Sequence, residues 1–389
     1  MSKSSGKACI VHYNSSKFLT RVDRSARALA ADGWDVVLIA IKDDETPAFE
    51  DRGDYVVHRV TLKARRLPKW PVVRVLRHVE AVWRTFARAY RENADVYNPR
   101  DAEPLLVSWL AAKLRRARLV YDSDELCLDR NKPITRKRWW RFAMFRYERF
   151  FCKRADAVIT TDIGRAEIIA RRYRIPTPVV VLNVPDRIEH VEPDEEFRTA
   201  ALKGASRLLI YQGVIIENRG IPELIEAMRH IDDCALAIVG YGHRLDEYTA
   251  LLAESGLTDR VTFFDAVPFA RLMRYTAAAD VGMIPLIASC LSYKYAAPNK
   301  LFEYMMVGLP VVVSDLPEMA RVVNEERVGT LISDPTDPAS IAEAVTRLLQ
   351  GAESLDEMGR RARGAALERY NWDVERLRLL DVYRGLVLR

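Results

Sequence analysis

Short runs of valine, isoleucine and leucine, each followed by an amphipathic stretch, recur along the chain and constrain its fold more than any other feature. In the first half the runs are "KACIVHY", "WDVVLIAI", "DVYNP", "ARLVYDS", "DAVITT" and "PVVVLNV", with helical stretches such as Arg21–Asp32 and Pro104–Arg116 between them. In the second half they are "RLLIYQG", "CALAIVG", "VTFFDA", "VGMIPL", "PVVVSD" and "GTLIS", separated by helices near 220–230, 244–255, 270–278, 299–307 and 338–350. Continuous apolar strands alternating with helices imply parallel sheets covered on both faces. A chain of 389 residues exceeds one ordinary core. The expected fold class is therefore α/β, with two doubly wound Rossmann-like domains. Residues 1–185 form the first, the polar stretch 186–206 a linker, and residues from 207 onward the second. In open parallel sheets ligands bind beyond the carboxyl ends of the strands. Those edges are expected to face a shared cleft.

No apolar run approaches the roughly 18 residues of a membrane-spanning helix. The opening "MSKSSGKACIVHY" lacks an apolar leader core, so no signal peptide is expected. Five scattered cysteines without CxxC pairs argue for reduced thiols in a cytoplasm, and against zinc or a disulfide framework. Charge is uneven. Residues 1–185 hold 37 Lys+Arg against 22 Asp+Glu, a balance of +15, and the remainder balances at −9. A basic half and an acidic half suggest different partners.

Several motifs lie just after strands. "PNKLFEYMMVGLPVVVSD", 298–315, places Pro298, Asn299, Lys300 and Glu303 at the start of an otherwise apolar helix. Proline suits a first turn, and the open N–H groups with Lys300 suit a phosphate. Glu303 could then hold neighbouring hydroxyls, or simply reach solvent. "YQGVIIENRGIPELIEAM", 211–228, runs from a strand through Gly213 to Arg219 and a helix. "AIVGYGH" offers Gly240 and Gly242 but not the full GxGxxG pattern, so a nicotinamide site is poorly supported. "VYDSDELCLDR" sets Asp122, Asp124 and Glu125 beyond a strand, either for acid–base work or to cap the next helix. No accompanying ligand set suggests a metal cage.

Two stretches interleave basic and aromatic residues. "RKRWWRFAMFRYERFFCKR", 136–154, has eight bases and one acid, and 63–91 is similar. Each reads as an interfacial helix on anionic lipid, as a core-packing helix with a solvated basic back, or as a nucleic-acid face. The first reading is preferred, with 63–91 the better candidate.

Taken in order, "YQGVIIENRGIPELIEAM", "AIVGYGH", "FFDAVPFARLMRYTAAADVGMIPL" and "PNKLFEYMMVGLPVVVSDLPEMARVV" resemble the donor-binding domain of GT-B glycosyltransferases, specifically glycosyltransferase family 4, across roughly 207–350. The first half keeps the outline in "RVDRSARALAADGWDVVLIA", "LVYDSDEL" and "RADAVITT". The resemblance implies an acceptor-binding domain over 1–185, a donor-binding domain over 207–370, and a last helix, 371–389, crossing back to the first domain. It implies sugar transfer from a nucleotide-sugar donor with retention at the anomeric carbon, without a bound metal or other cofactor. Glu303 matches the second glutamate of an E-x7-E pair that holds ribose hydroxyls. Pro298, Asn299, Lys300 and Leu301 match the diphosphate-receiving helix start, with Gly213 and Gly240 in the donor site. Arg219 matches the basic residue that neutralises the leaving phosphate. Three positions depart from the pattern: Tyr295 stands at the first glutamate, Val214 at an arginine, and Asp124 at the first domain's histidine. The catalytic set is then Arg219, Lys300 and Asp124.

The expected function is a cytoplasmic glycosyltransferase, peripheral on the inner membrane face, extending a polysaccharide or lipid-linked glycan. Its partners are a nucleotide-sugar, a glycan or lipid-linked acceptor and an anionic membrane surface, with no nucleic acid. The rivals are a catalytically silent partner subunit of the same fold and a nucleic-acid-binding protein.

Overall fold

The computed structural model describes residues 6–16, 20–66, 70–130 and 138–387; the side chains of residues 20, 65, 66, 71, 72, 74 and 387 lie outside the described part. The chain divides into two compact units, residues 1–182 with 375–389, and residues 183–374.

Unit one is built on an eight-stranded sheet. Its strands are β1 (Gly6–Val11), β2 (Trp34–Ile41), β3 (Phe49–Asp51), β4 (Val56–Val60), β5 (Val96–Pro99), β6 (Arg118–Ser123), β7 (Ala157–Thr160) and β8 (Val179–Val180), in the order β3-β4-β2-β1-β5-β6-β7-β8. All pairs are parallel except β3 with β4. Ile10, Leu38, Ile39 and Tyr97 are fully buried, as strands covered on both faces require.

Two features differ from the sequence expectation. The β3–β4 hairpin was not anticipated, because the edge strand β3 is short and charged and His58 and Arg59 interrupt the apolar run of β4. Arg59 inside β4 is buried and donates to the Ser15 carbonyl at 2.7 Å and to Glu50 at 2.6 Å. Those bonds anchor a strand that hydrophobicity does not mark. The run "PVVVLNV" forms only the two-residue β8. The Leu182 N–H instead donates to the Glu375 carboxylate at 2.8 Å, which takes it out of the ladder.

Unit two holds a six-stranded parallel sheet in the order β11-β10-β9-β12-β13-β14. The strands are β9 (Arg207–Val214), β10 (Cys234–Tyr241), β11 (Val261–Asp265), β12 (Val281–Ile284), β13 (Val311–Ser314) and β14 (Gly329–Ile332). Leu209, Leu236, Ile238, Met283 and Val312 share one core with Leu224, Ile225 and Val345 from the covering helices. The strand order reverses between β10-β9 and β12-β13, so the switch point of a doubly wound sheet lies at the carboxyl end of β9.

The expected linker 186–206 carries a helix, Glu195–Leu202. Its acids looked like solvated loop residues, but Asp194 caps the helix by accepting from the Phe197 N–H at 3.0 Å, and Glu195 and Glu196 sit in the first turn. Phe197 stacks on Tyr275 with ring centres 4.0 Å apart, tying this segment into unit two. The helix Trp372–Val387 passes from unit two into unit one. There Tyr383 meets Trp34 edge-on at 5.5 Å, and Arg384 pairs with Asp32 at 3.2 Å.

Candidate functional site

In unit two, the helix Asn299–Met306 begins where the extended backbone of Pro298 turns into its first residue. Leu301, Phe302, Tyr304, Met305 and Met306 are buried and pin the helix to the sheet. Lys300 and Glu303, three residues apart, therefore lie on the one face left for chemistry. Leu301 is another of the residues expected in the donor site. Its side chain is in the core, and its N–H already donates to the Pro298 carbonyl at 2.9 Å. Asn299 and Tyr295 are half-buried, Tyr295 ending the short helix Leu291–Lys294.

The Lys300 ammonium stands 3.6 Å from the centre of the Tyr211 ring, in cation–π range. Gly213 makes that position possible: its φ is +124°, and a Cβ there would lie 3.3 Å from the lysine Nζ. Burial, then the charge of Arg219, pushes the Lys300 pKa well below that of an ordinary lysine, although Glu303 opposes the shift. Arg219 lies over Tyr293, 4.6 Å from its ring centre. Gly220 follows at φ +68°, where a Cβ would meet the Pro285 carbonyl oxygen at 1.9 Å. Two basic side chains are thus brought together beside the end of β9.

Glu303 accepts a hydrogen bond from the Gln212 side-chain amide at 2.6 Å. The Gln212 oxygen in turn receives the Thr276 hydroxyl at 2.6 Å. Neither residue was singled out in the sequence, although a glutamine inside the apolar run "RLLIYQGV" is an available signal. Gly240 serves close packing: a Cβ there would meet the Gly213 carbonyl oxygen at 1.9 Å. Val214 is exposed at the end of β9.

Asp124 lies in unit one, in a separate charged network at the carboxyl ends of β1, β5, β6 and β7. Its carboxylate is 2.8 Å from the Arg21 Nε and 3.6 Å from Arg100. Buried Arg100 also pairs with buried Asp122. Burial acts to raise the Asp124 pKa, but Arg100 and Arg21 outweigh it and hold the carboxyl below its usual value. A carboxylate so held is a weak proton acceptor. Asp101 differs: burial and the neighbouring Asp124 push its pKa up to about 7, against the pull of Arg130 at 3.1 Å. His12 is pushed down to about 4 by burial and Arg100, and is neutral near pH 7. The sequence reading missed His12, Arg100 and Asp101; His12 and Arg100 each directly follow a strand, and Asp101 comes one residue later. Among the described residues, no group of three or more His, Cys, Asp or Glu is placed to hold a metal ion.

The basic–aromatic stretches of unit one form the helices Pro71–Glu92 and Arg138–Cys152. On the first, Val75, Leu76, Val79 and Trp83 make an exposed apolar stripe, Trp83 being 66% accessible. On the second, Glu148, Phe151 and Cys152 are buried while Trp139 and Phe142 are exposed. Arg65, Arg66 and Arg74 belong to the first stretch, and their side chains lie outside the described part, as do residues 131–137 before the second helix. No helix among the described residues is long and apolar enough to cross a membrane.

Residues 206–351 match the family model described as Glycosyl transferases group 1, and residues 19–185 match that of a Glycosyl transferase 4-like domain. A GDP-mannose-dependent alpha-(1-6)-phosphatidylinositol monomannoside mannosyltransferase from Mycolicibacterium smegmatis is 29% identical over 181 residues, 46% of each chain. A phosphatidyl-myo-inositol mannosyltransferase from Mycobacterium leprae is 32% identical over 237 residues, covering 57% of this chain and 59% of that one. The chain thus spans about half the length of the curated relatives it matches. The solved structure of a sucrose-phosphate synthase from Thermosynechococcus elongatus superposes with a TM-score of 0.79 at 21% identity, covering 98% of this chain and 99% of that one.

Proposed function

The chain belongs to the GT-B glycosyltransferases, resembling family 4, and from that premise we propose that it moves a sugar from a nucleotide-sugar to a lipid-linked or glycan acceptor, with retention at the anomeric carbon. The observation that carries this reading is the meeting of Lys300, Arg219 and Glu303 at the switch point of unit two. Departure of a nucleoside diphosphate builds negative charge, and cations already in place stabilise it without reorganising. Arg219 and Lys300 take this part, and the reaction proceeds without a bound metal. Glu303, an acceptor-only carboxylate, holds the ribose hydroxyls. Asn299 and Lys300 offer N–H groups to the diphosphate at the helix start.

The lipid side of the proposal draws on the two phosphatidylinositol-directed relatives. It also draws on the exposed stripe of the helix Pro71–Glu92, which suits the inner face of an anionic membrane. Acceptor recognition falls to the charged strand-end network of unit one, in which Asp124 orients a hydroxyl and holds charge.

The test is a panel of nucleotide-sugars offered to the purified protein with phosphatidylinositol-containing lipid extracts. Product formation is followed by mass spectrometry, and anomeric configuration by NMR. Arg219→Ala should lower kcat more than it raises KM, because the charge it meets grows toward the transition state. Binding without turnover of any donor, hydrolysis included, would identify a silent subunit instead.

A further inference from the structure

We propose that Gln212 and Thr276 are positioning residues that fix the Glu303 carboxylate for the donor's ribose; this rests on the reading of Glu303 given above. Gln212 stands on β9, a central strand flanked by β10 and β12, and is 1% exposed. Every side chain from Leu208 to Tyr211 on that strand is apolar or aromatic and buried. An amide there is costly unless its polar atoms are bonded. Both are. The nitrogen donates to Glu303 Oε2 at 2.6 Å, and the oxygen accepts from the Thr276 hydroxyl at 2.6 Å.

The orientation of the amide is dictated by its partners. A carboxylate can only accept, so the nitrogen must face Glu303 and the oxygen must face Thr276. Thr276 is fully buried on the helix Phe269–Ala277, and its hydroxyl also lies 2.7 Å from the Leu272 carbonyl oxygen. Both neighbours of that hydroxyl are acceptors, so its single proton is shared between them, with the Gln212 oxygen the nearer at 2.6 Å. A chain of hydrogen bonds thus runs from one helix, through the central strand, to the carboxylate on another.

A glutamate side chain at a surface samples several rotamers and loses that freedom on binding a ligand. One carboxylate oxygen held by a buried amide loses it beforehand, which is preorganisation. The use of a neutral donor matters as well. An arginine or lysine in place of Gln212 would add a third cation beside Lys300 and Arg219. The amide fixes the carboxylate and leaves the charge of the pair unchanged.

The test measures ribose recognition rather than stability, since removing one partner of a buried polar pair costs stability whatever its part in binding. Calorimetry compares UDP, GDP and ADP with their 2′,3′-dideoxy forms on wild type, Glu303→Ala, Gln212→Leu, Thr276→Val and Thr276→Ser. The expected result is that wild type prefers the ribonucleotide and Glu303→Ala abolishes the preference. Gln212→Leu should reduce it by about tenfold and Thr276→Val by about threefold. Thr276→Ser should restore it, and in the Gln212 and Thr276 variants affinity for the dideoxy form should stay at the wild-type value. If Gln212→Leu does not unfold cooperatively, the near-isosteric Thr276→Val with its serine control decides. Full ribose preference in both relay variants, or equal weakening of both nucleotide forms, overturns the relay and leaves the Glu303 reading standing. A preference that survives Glu303→Ala, or no binding of any of the three nucleotides, overturns the Glu303 reading and the relay with it.

Discussion

Lys300 shows how one side chain is made useful by what surrounds it. Its pKa is lowered by burial and by Arg219, so the native state binds its proton less tightly than the unfolded chain does. Between the native pKa and the ordinary value near 10.5, the unfolded chain holds a proton that the native protein has lost. Stability therefore rises with pH through that interval, the reverse of a lysine that gains a partner on folding. A diphosphate prefers the ammonium form, so nucleotide affinity should fall as pH climbs through the same interval. Melting curves and calorimetry at pH values stepped downward from 10.5 would show both trends, and Lys300→Met should flatten both. A wild-type profile already flat there would mean an ordinary lysine. Lys300 and Glu303 were legible in the sequence because charges at the start of an apolar helix stand out. Gln212 was not, since one amide in an apolar run looks like noise until its two partners are seen. The network around Asp124 was half legible: the carboxylates were visible, but Arg21, Arg100 and Arg165 reach it from distant parts of the chain.

Among the elements, the turn between β9 and the helix Ile221–Ala227 carries the tightest constraint. Gly220 combines a left-handed backbone with a contact that a methyl group would bring to 1.9 Å of the Pro285 carbonyl oxygen. The left-handed geometry alone costs a non-glycine residue about 1–2 kcal/mol. Gly220→Ala should exceed that in urea unfolding, because β12's following segment must also move. It should weaken nucleotide binding too, by shifting Arg219. A variant as stable as wild type would show that the turn adapts. Most elements were readable from apolar runs and helical spacing, with ends displaced by one or two residues. Those that were not include the helices Ile163–Tyr173, Pro317–Glu326 and Leu355–Glu368, and three marked by polar devices: the β3–β4 pair secured by Arg59, the capped helix Glu195–Leu202, and the strand interrupted at Leu182 by Glu375. Periodicity does not register a hydrogen bond from a distant carboxylate.

For the whole molecule, the uneven charge and the exposed stripe of the helix Pro71–Glu92 make a joint prediction. Each Lys or Arg near an anionic surface contributes about 1 kcal/mol, decaying over a Debye length. Sedimentation with anionic liposomes should exceed that with neutral ones and fall with added salt. Replacing Leu76 and Trp83 with serine should remove the salt-resistant part without altering nucleotide affinity. Equal sedimentation with both kinds of vesicle would leave the stripe as ordinary surface. The division into two doubly wound units was plain from the alternation of strands and helices, whereas the return of the last helix, expected over 371–389 and found in unit one from Glu375, came only from family resemblance. Deleting that segment removes Tyr383 from Trp34 and the Glu375 acceptor from Leu182. Unit one should then unfold at lower urea while unit two keeps its midpoint, as separate tryptophan and hydrogen-exchange probes can show. A single unshifted transition would make the segment dispensable. The same arrangement sets a timetable on the ribosome. Roughly 190 residues of unit two are made between Leu182 and Glu375, which at about 5–20 residues per second takes on the order of 10–40 s. For that time the nascent first unit waits with Trp34 uncovered, so the later-made unit is the first complete one, and the earlier-made unit is the natural client of a chaperone.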